Sequence, residues 1–233
     1  MTITFITGAN KGLGLETARR LLELGHTVIL GARDRELGTA AAGRLGGRFV
    51  QIDVTDDHSV RAAAADVEAH EGLVDVLVNN AGVGGTYGVD VADLSGSDVL
   101  DVFDVNVAGV VRTTTAFLPL LRRSADPVIV NVSSGMGSLE HTHDPSRAES
   151  QVVAPIYTAS KAALTMLTTQ YAKAFPDVRV NAADPGYTAT DLNAHSGPQT
   201  VTEGTDAVVS LATEGPGHAS GRFVDRHGET SWS

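Results

Sequence analysis

A doubly wound α/β domain, with a parallel sheet of about seven strands and helices on both faces, is the fold class this sequence predicts. Three observations carry that prediction. Short apolar runs recur with longer amphipathic stretches between them. The runs are apolar at consecutive positions instead of alternating with polar residues, as strands covered on both faces require. The first run opens through a glycine-rich turn into a helical pattern, the beginning of a parallel strand–helix–strand unit.

In order, the strand candidates are Ile3 to Thr7, Thr27 to Gly31, Arg48 to Ile52, Val74 to Asn79, Val128 to Val132, Val178 to Ala182 and a last one near Gly221 to Val224. Helix candidates lie between them at 12–24, 34–44, 56–71, 97–123, 155–175 and 200–213, and Pro176 stops the fifth. No repeat or low-complexity linker divides the chain, and 233 residues suit one substantial core, so residues 1–233 read as a single domain. The least regular stretches, 83–96, 135–154 and 184–199, follow strand ends, where such a fold builds its ligand site.

Composition narrows the function. A net charge of −11 disfavours nucleic acid and anionic membrane surfaces as partners. With no cysteine, thiolate catalysis, disulfides and cysteine-ligated metal are excluded. The N-terminus lacks a basic segment followed by a long apolar run, and no stretch approaches the ~20 apolar residues of a membrane span. A cytoplasmic protein is the expectation.

The turn after the first strand reads Thr7-Gly8-Ala9-Asn10-Lys11-Gly12-Leu13-Gly14. Glycines there let the backbone approach a pyrophosphate, and the following helix aims free N–H groups at the anion. The second strand ends Ala32-Arg33-Asp34. Arg33 suits a ribose 2′-phosphate, with Lys11 as a second cation, which favours NADP over NAD. Asp34 fits a helix cap. Asp53, before Val54, is either an adenine ligand or a cap beside Thr55. Asn79-Asn80-Ala81-Gly82 is either a surface for a dinucleotide or a plain Asn-rich turn.

Tyr157 and Lys161 stand four residues apart within one helical pattern, on the same face. A phenol ionises near pH ~10, and a neighbouring ammonium favours the phenolate, so the pair can trade protons with a substrate oxygen.

Together these pieces resemble the classical short-chain dehydrogenase/reductase family. They occur in the family's order: Thr7-Gly8-x-x-x-Gly12-x-Gly14, Asn79-Asn80-Ala81-Gly82, Asn106, Ser134, Tyr157 with Lys161, and Pro185-Gly186. Asn10-Lys11-Gly12 and Ala32-Arg33-Asp34 are most similar to the NADPH-dependent carbonyl reductases within it. The resemblance implies a Rossmann-type domain and reversible hydride transfer between NADP(H) and a carbonyl/alcohol pair. It makes Tyr157 the acid/base, Lys161 its pKa-lowering partner and a nicotinamide-ribose ligand, Ser134 (over Ser133) the substrate-orienting hydroxyl, and Asn106 the support for a proton-relay water. The implied cofactor contacts are Gly8, Asn10, Lys11, Gly12, Leu13, Gly14, Arg33, Asp53, Val54, Asn80, Ala81, Gly82, Tyr157, Lys161, Pro185, Gly186 and Thr188.

The expected activity is reduction of a ketone, aldehyde or quinone, a small-molecule substrate. The alternatives are an oxidative alcohol dehydrogenase and a non-catalytic NADP-binding regulator. Gly84, Gly85, Met136, Leu139, Tyr187 and Leu192 are candidate pocket residues. Ser134 and Tyr157 lie 23 positions apart, more than many members allow, and the excess falls within Leu139 to Pro155. His141-Thr142-His143-Asp144 inside it reads as polar loop, with no metal expected. That insertion leaves the choice between monomer and homo-oligomer open.

Overall fold

The computed structural model describes residues 1–85 and 90–233. Among them eight strands form one sheet in the order β3-β2-β1-β4-β5-β6-β7-β8. The strands are β1 (Ile3–Thr7), β2 (Thr27–Ala32), β3 (Arg48–Gln51), β4 (Val76–Asn79), β5 (Val128–Val132), β6 (Arg179–Ala183), β7 (Phe223–Asp225) and β8 (Gly228–Glu229). The first seven pair in parallel, as expected; β8 adds a short antiparallel edge to β7. Two residues after a turn carry no apolar periodicity, so this strand has no signature in the sequence.

Side chains of a strand alternate between faces, and here both faces are covered. Ile6, Val28, Leu30, Val76, Val78, Val128 and Val130 join one core with Ala18 and Leu21 of α1 (Gly12–Glu23), Ala41 and Ala42 of α2 (Arg35–Leu45) and Val208 and Leu211 of α9 (Asp206–Thr213). Their neighbours Phe5, Ile29, Leu77, Ile129 and Val180 point the other way. They pack with Val60 and Val67 of α3 (Asp57–His70) and with Phe117 and Leu121 of α5 (Gly109–Leu121). The unbroken apolar runs are therefore two interleaved half-faces.

The expected helix 97–123 is instead three segments: α4 (Gly96–Phe103), a π-helical turn over Asp104–Ala108, and α5. Part of the insertion before Tyr157 folds as α6 (Leu139–His143), ahead of α7 (Pro155–Ala174). Pro155 occupies the first turn of α7, where its missing N–H has no intrahelical role. The expected 200–213 helix divides into α8 (Val201–Gly204) and α9. Trp232 stacks on Phe223, with ring centroids 5.8 Å apart, so the C-terminus packs against the sheet edge.

Between the sheet and α5 and α7 runs a buried polar chain. Thr113 Oγ1 donates to Asn79 Oδ1 at 2.7 Å, Asn79 Nδ2 donates to Asn131 Oδ1 at 2.9 Å, and Asn131 Nδ2 donates to Thr168 Oγ1 at 2.9 Å. It locks the last residue of β4 to β5 just below the loops that build the site. Asn131→Ala leaves the Asn79 amide with only its longer bond to Thr114 Oγ1 at 3.3 Å among the described residues and removes the donor to the Thr168 hydroxyl. Urea denaturation is expected to show a loss of about 1–3 kcal/mol in unfolding free energy.

Candidate active site

The sheet order turns back on itself between β1 and β4: from β1 the chain runs outward through β2 and β3, then returns to start again at β4. Loops leaving the carboxyl ends of β1 and β4 diverge there and leave a crevice, the usual ligand position in such sheets. The glycine loop follows β1 and Asn80-Ala81-Gly82 follows β4, so the topology brings these two predicted segments together. Thr7 Oγ1 accepts from the backbone N–H groups of Asn80 and Ala81 at 3.0 Å each. The Asn80 amide donates in return to the carbonyls of Thr7 at 2.8 Å and Gly8 at 3.1 Å.

Gly8 has φ +65°, which a side chain would strain. At Gly14 the limit is space, since a Cβ would stand 2.5 Å from the Gly8 carbonyl and collide with the Asn80 amide. Helix α1 starts after Lys11 with no side-chain cap, whereas Asp34 and Asp56 cap α2 and α3. Among the described residues no side chain claims its first N–H groups, an arrangement that fits a pyrophosphate. Asn10 lies in the turn before Lys11, and Leu13 in the first turn of α1.

Asp34 accepts from Leu37 N–H at 2.9 Å and is the helix cap expected of it. Arg33 is exposed, and its guanidinium makes no hydrogen bond or ion pair among the described residues. Lys11, the second cation of the sequence reading, has its Nζ bonded to Asp191 Oδ2 at 2.8 Å, across to the segment after β6. Both groups are more than half exposed, so this bond is weak and exchangeable. Asp53 Oδ1 accepts from Thr55 N–H at 3.0 Å and Thr55 Oγ1 at 2.7 Å, while the cap of α3 is Asp56. Val54 packs against Gly109, and its carbonyl accepts from Arg112. Thr188 is buried, and its hydroxyl donates to the Pro185 carbonyl at 2.8 Å, which closes the turn through Gly186.

The catalytic candidates gather on the β5 side of the crevice. Lys161, one turn beyond Tyr157 on α7, is buried, and its Nζ donates to the Val132 carbonyl at 2.8 Å. That Nζ lies 5.7 Å from the centroid of the Tyr157 ring. Burial pushes the ammonium down to about 8, partly opposed by the field of Asp184. Helix α7 can pass this close because residue 137 is glycine: a Cβ there would stand 2.7–2.8 Å from the backbone of Lys161. The neighbouring serines divide their roles. Ser133 is buried and bonds the Lys161 carbonyl at 3.3 Å and Thr165 at 3.0 Å. Ser134 is half-buried, its Oγ accepting from Met136 N–H at 3.2 Å, so it is the hydroxyl with access to a ligand.

Asn106 lies within the π-turn and is buried. Its amide donates to the Val83 carbonyl at 2.9 Å and to Ser160 Oγ at 3.0 Å, and its Oδ1 accepts from Val83 N–H at 2.8 Å. Ser160 Oγ donates onward to the Tyr157 carbonyl at 2.7 Å. Sequence reasoning missed Ser160, because a serine inside a helix signals nothing until the partner helix is known. A Cβ on Gly82 would stand 3.3 Å from Asn106 Oδ1 and 3.6 Å from Lys161 Nζ, so the β4 and β5 halves of the site meet there. Of the candidate pocket residues, Tyr187 and Leu139 are largely exposed, and Tyr187 bonds Ser196 Oγ at 2.6 Å. Of the 83–96 stretch, residues 86–89 lie outside the described residues.

In the insertion, Thr142 and His143 bond the backbone of their own helical turn and Asp144 holds Ser146, as polar loop residues do. His141 departs from that expectation: it is buried and turned toward Asp184 and Glu149. Burial raises the Asp184 carboxyl above its ordinary range, against bonds from the Gly186 and Gly135 N–H groups.

No described helix is long and apolar enough to cross a membrane. Relatives with curated descriptions span nearly the whole chain. A short-chain dehydrogenase from Penicillium roqueforti, anuI, is 36% identical over 96% of this chain and 93% of its own. The (−)-isopiperitenone reductase of Mentha piperita is 33% identical over 95% of each. The structure of an NADPH-bound carbonyl reductase from chicken fatty liver superposes with a TM-score of 0.87 at 27% identity and covers all of both chains. The short chain dehydrogenase family model matches residues 2–200, and the chain belongs to the short-chain dehydrogenase/reductase family.

Proposed function

We propose that this protein uses NADPH to reduce a carbonyl group, in a ketone, aldehyde or quinone, to the alcohol. The observation that supports this most is the buried Lys161 ammonium, fixed by the Val132 carbonyl one helical turn from Tyr157. A charge kept in so dry a place acts strongly on the phenol beside it. The likeness to reductases, one of them NADPH-bound, supports the same reading.

When bound, NADPH supplies the hydride to the carbonyl carbon. The uncapped start of α1 and the backbone of Gly8 to Gly14 would hold its pyrophosphate, and Arg33 its 2′-phosphate. Asn80 to Gly82, Lys161 and the Pro185–Thr188 turn would border the nicotinamide half. Ser134 and Tyr157 donate hydrogen bonds to the carbonyl oxygen, polarise it, and Tyr157 delivers the proton as negative charge develops there. Lys161, at about 8, remains mostly charged at neutral pH and keeps the phenol acidic enough to do so. Asn106 holds α7 to the loop after β4; with its amide spent on protein partners, a relay water would be held by main-chain groups beside it.

Tyr157→Phe is expected to bind NADPH normally and to lose about 10²–10⁴-fold in turnover on a carbonyl panel; near-normal turnover would remove Tyr157 as the acid. Arg33→Ala is expected to weaken NADPH by about 10–100-fold and NADH little, by fluorescence titration. Equal losses would count against a 2′-phosphate contact.

Lys161 also has a stability signature. Its native pKa, about 8, lies below the ordinary 10.5, so the unfolded chain binds more protons between those values and stability rises with pH across that window. Relative to Lys161→Met, the cofactor-free wild type is expected to gain on the order of 3 kcal/mol between pH 7.5 and 10.5 in urea denaturation. A difference that stays flat would show an unshifted lysine.

A further inference from the structure

His141, Glu149 and Asp184 come from three separate places: α6, the turn after it, and the end of β6. One ligand atom of each lies within 4.8 Å of the other two. They converge on the open face of Gly135, the residue after Ser134. A Cβ there would stand 2.8 Å from Asp184 Oδ2 and 3.1 Å from His141 Nδ1, and would collide with Glu149 Oε1.

His141 is only 3% exposed, and among the described residues its Nδ1 has no hydrogen-bond partner. A buried ring nitrogen left in this state, facing two carboxylates, is costly unless something binds it. Its other nitrogen, Nε2, is held by Thr230 Oγ1 at 2.9 Å. Asp184 Oδ1 is held by Gly186 N–H at 2.9 Å. Arg147 grips Glu149, with Nη2 3.0 Å from Oε1 and Nε 3.4 Å from Oε2. His141 and Asp184 are thus oriented through the atom that would not bind, as ligands of a metal ion are, whereas Arg147 holds both oxygens of Glu149.

We propose that His141 Nδ1, Glu149 Oε1 and Asp184 Oδ2 bind one divalent transition-metal cation of the Zn²⁺ class. One imidazole and two carboxylates suit such an ion, whose bonds of about 2.0–2.2 Å require the three atoms to draw in slightly. Glu149 Oε1 would exchange its bond from Arg147 Nη2 for the ion. The ion would be structural, because none of its ligands belongs to the Ser134, Tyr157 and Lys161 set. It would clamp the 139–155 insertion to the loops after β5 and β6, which form two walls of the substrate crevice.

The test is titration of the chelator-treated full chain with Zn²⁺ against a chromophoric competitor, together with thermal unfolding. Wild type is expected to bind one equivalent and to gain about 5–10 °C in Tm at a hundredfold excess over Kd. His141→Gln is expected to weaken that equivalent by about 100-fold or more, whereas His143→Ala on the exposed side of α6 leaves it intact. Glu149→Gln removes a ligand from a surface turn and decides the matter should the buried substitution fail to fold. The proposal is overturned if wild type binds no equivalent, or if the equivalent survives in Glu149→Gln and His141→Gln alike, which would place the ion on exposed histidines.

Discussion

The buried ammonium of Lys161 is the constraint around which the site is arranged. A charged group removed from water needs partners, and here one carbonyl, that of Val132, takes a direct bond while Asp184 acts through space. To keep that bond, α7 must lie directly on the end of β5. Three features make this possible: glycine at 137, Ser133 bonded to the Lys161 carbonyl, and Thr168 joined to Asn131. The same docking fixes Tyr157, which shares the rigid helix. The Tyr157–Lys161 pair therefore owes its position to backbone contacts and buried hydrogen bonds.

The nucleotide half of the crevice is held by a different device. Thr7 and Gly8 take four hydrogen bonds from Asn80 and Ala81 between the carboxyl ends of β1 and β4, all of them involving main chain. Parallel strands at a switch point have diverging loops, and without such a clasp the two would part. Asn106 joins this half to the other: its amide saturates Val83 on the β4 loop and reaches Ser160 on α7. The π-turn around Asn106 follows from that demand, since an extra residue in the turn re-aims a side chain that a regular α-helix would point elsewhere.

Elements with a long period were legible in the sequence. The six parallel strands through β6 and their helices follow from apolar runs, because burial on both faces leaves a signal at every position. Asp34 as a cap and the crevice position of the glycine loop were readable for the same reason: each depends on neighbours in sequence. What was not readable depends on neighbours in space. The break at Asp104–Ala108 joins Val83 and Ser160 through Asn106, and the cap of α3 falls to Asp56 while Asp53 bonds Thr55. The exposed bond from Lys11 in the glycine loop to Asp191, distant in sequence, likewise has no local signature. His141 reads as one more polar loop residue until Asp184 and Glu149 are placed beside it.

The insertion before Tyr157 shows how these two kinds of information combine. Its length is visible in the sequence and suggests only a larger pocket wall. Its fold is set by contacts that run inward: Ser138 caps α6, Leu139 N–H bonds the Trp232 carbonyl, and His141 meets Thr230, so the segment is tied to the C-terminal edge of the sheet. Glu149, held by Arg147, then closes on the same face of Gly135 as His141 and Asp184. A segment anchored at both ends and at its centre cannot act as a free lid. Any change in access to the crevice would instead fall to single side chains, such as the exposed Leu139 on that wall, and to the segment 187–196. That segment is largely exposed around the buried Thr188, and its Asp191 is tied to the glycine loop by the exchangeable bond from Lys11.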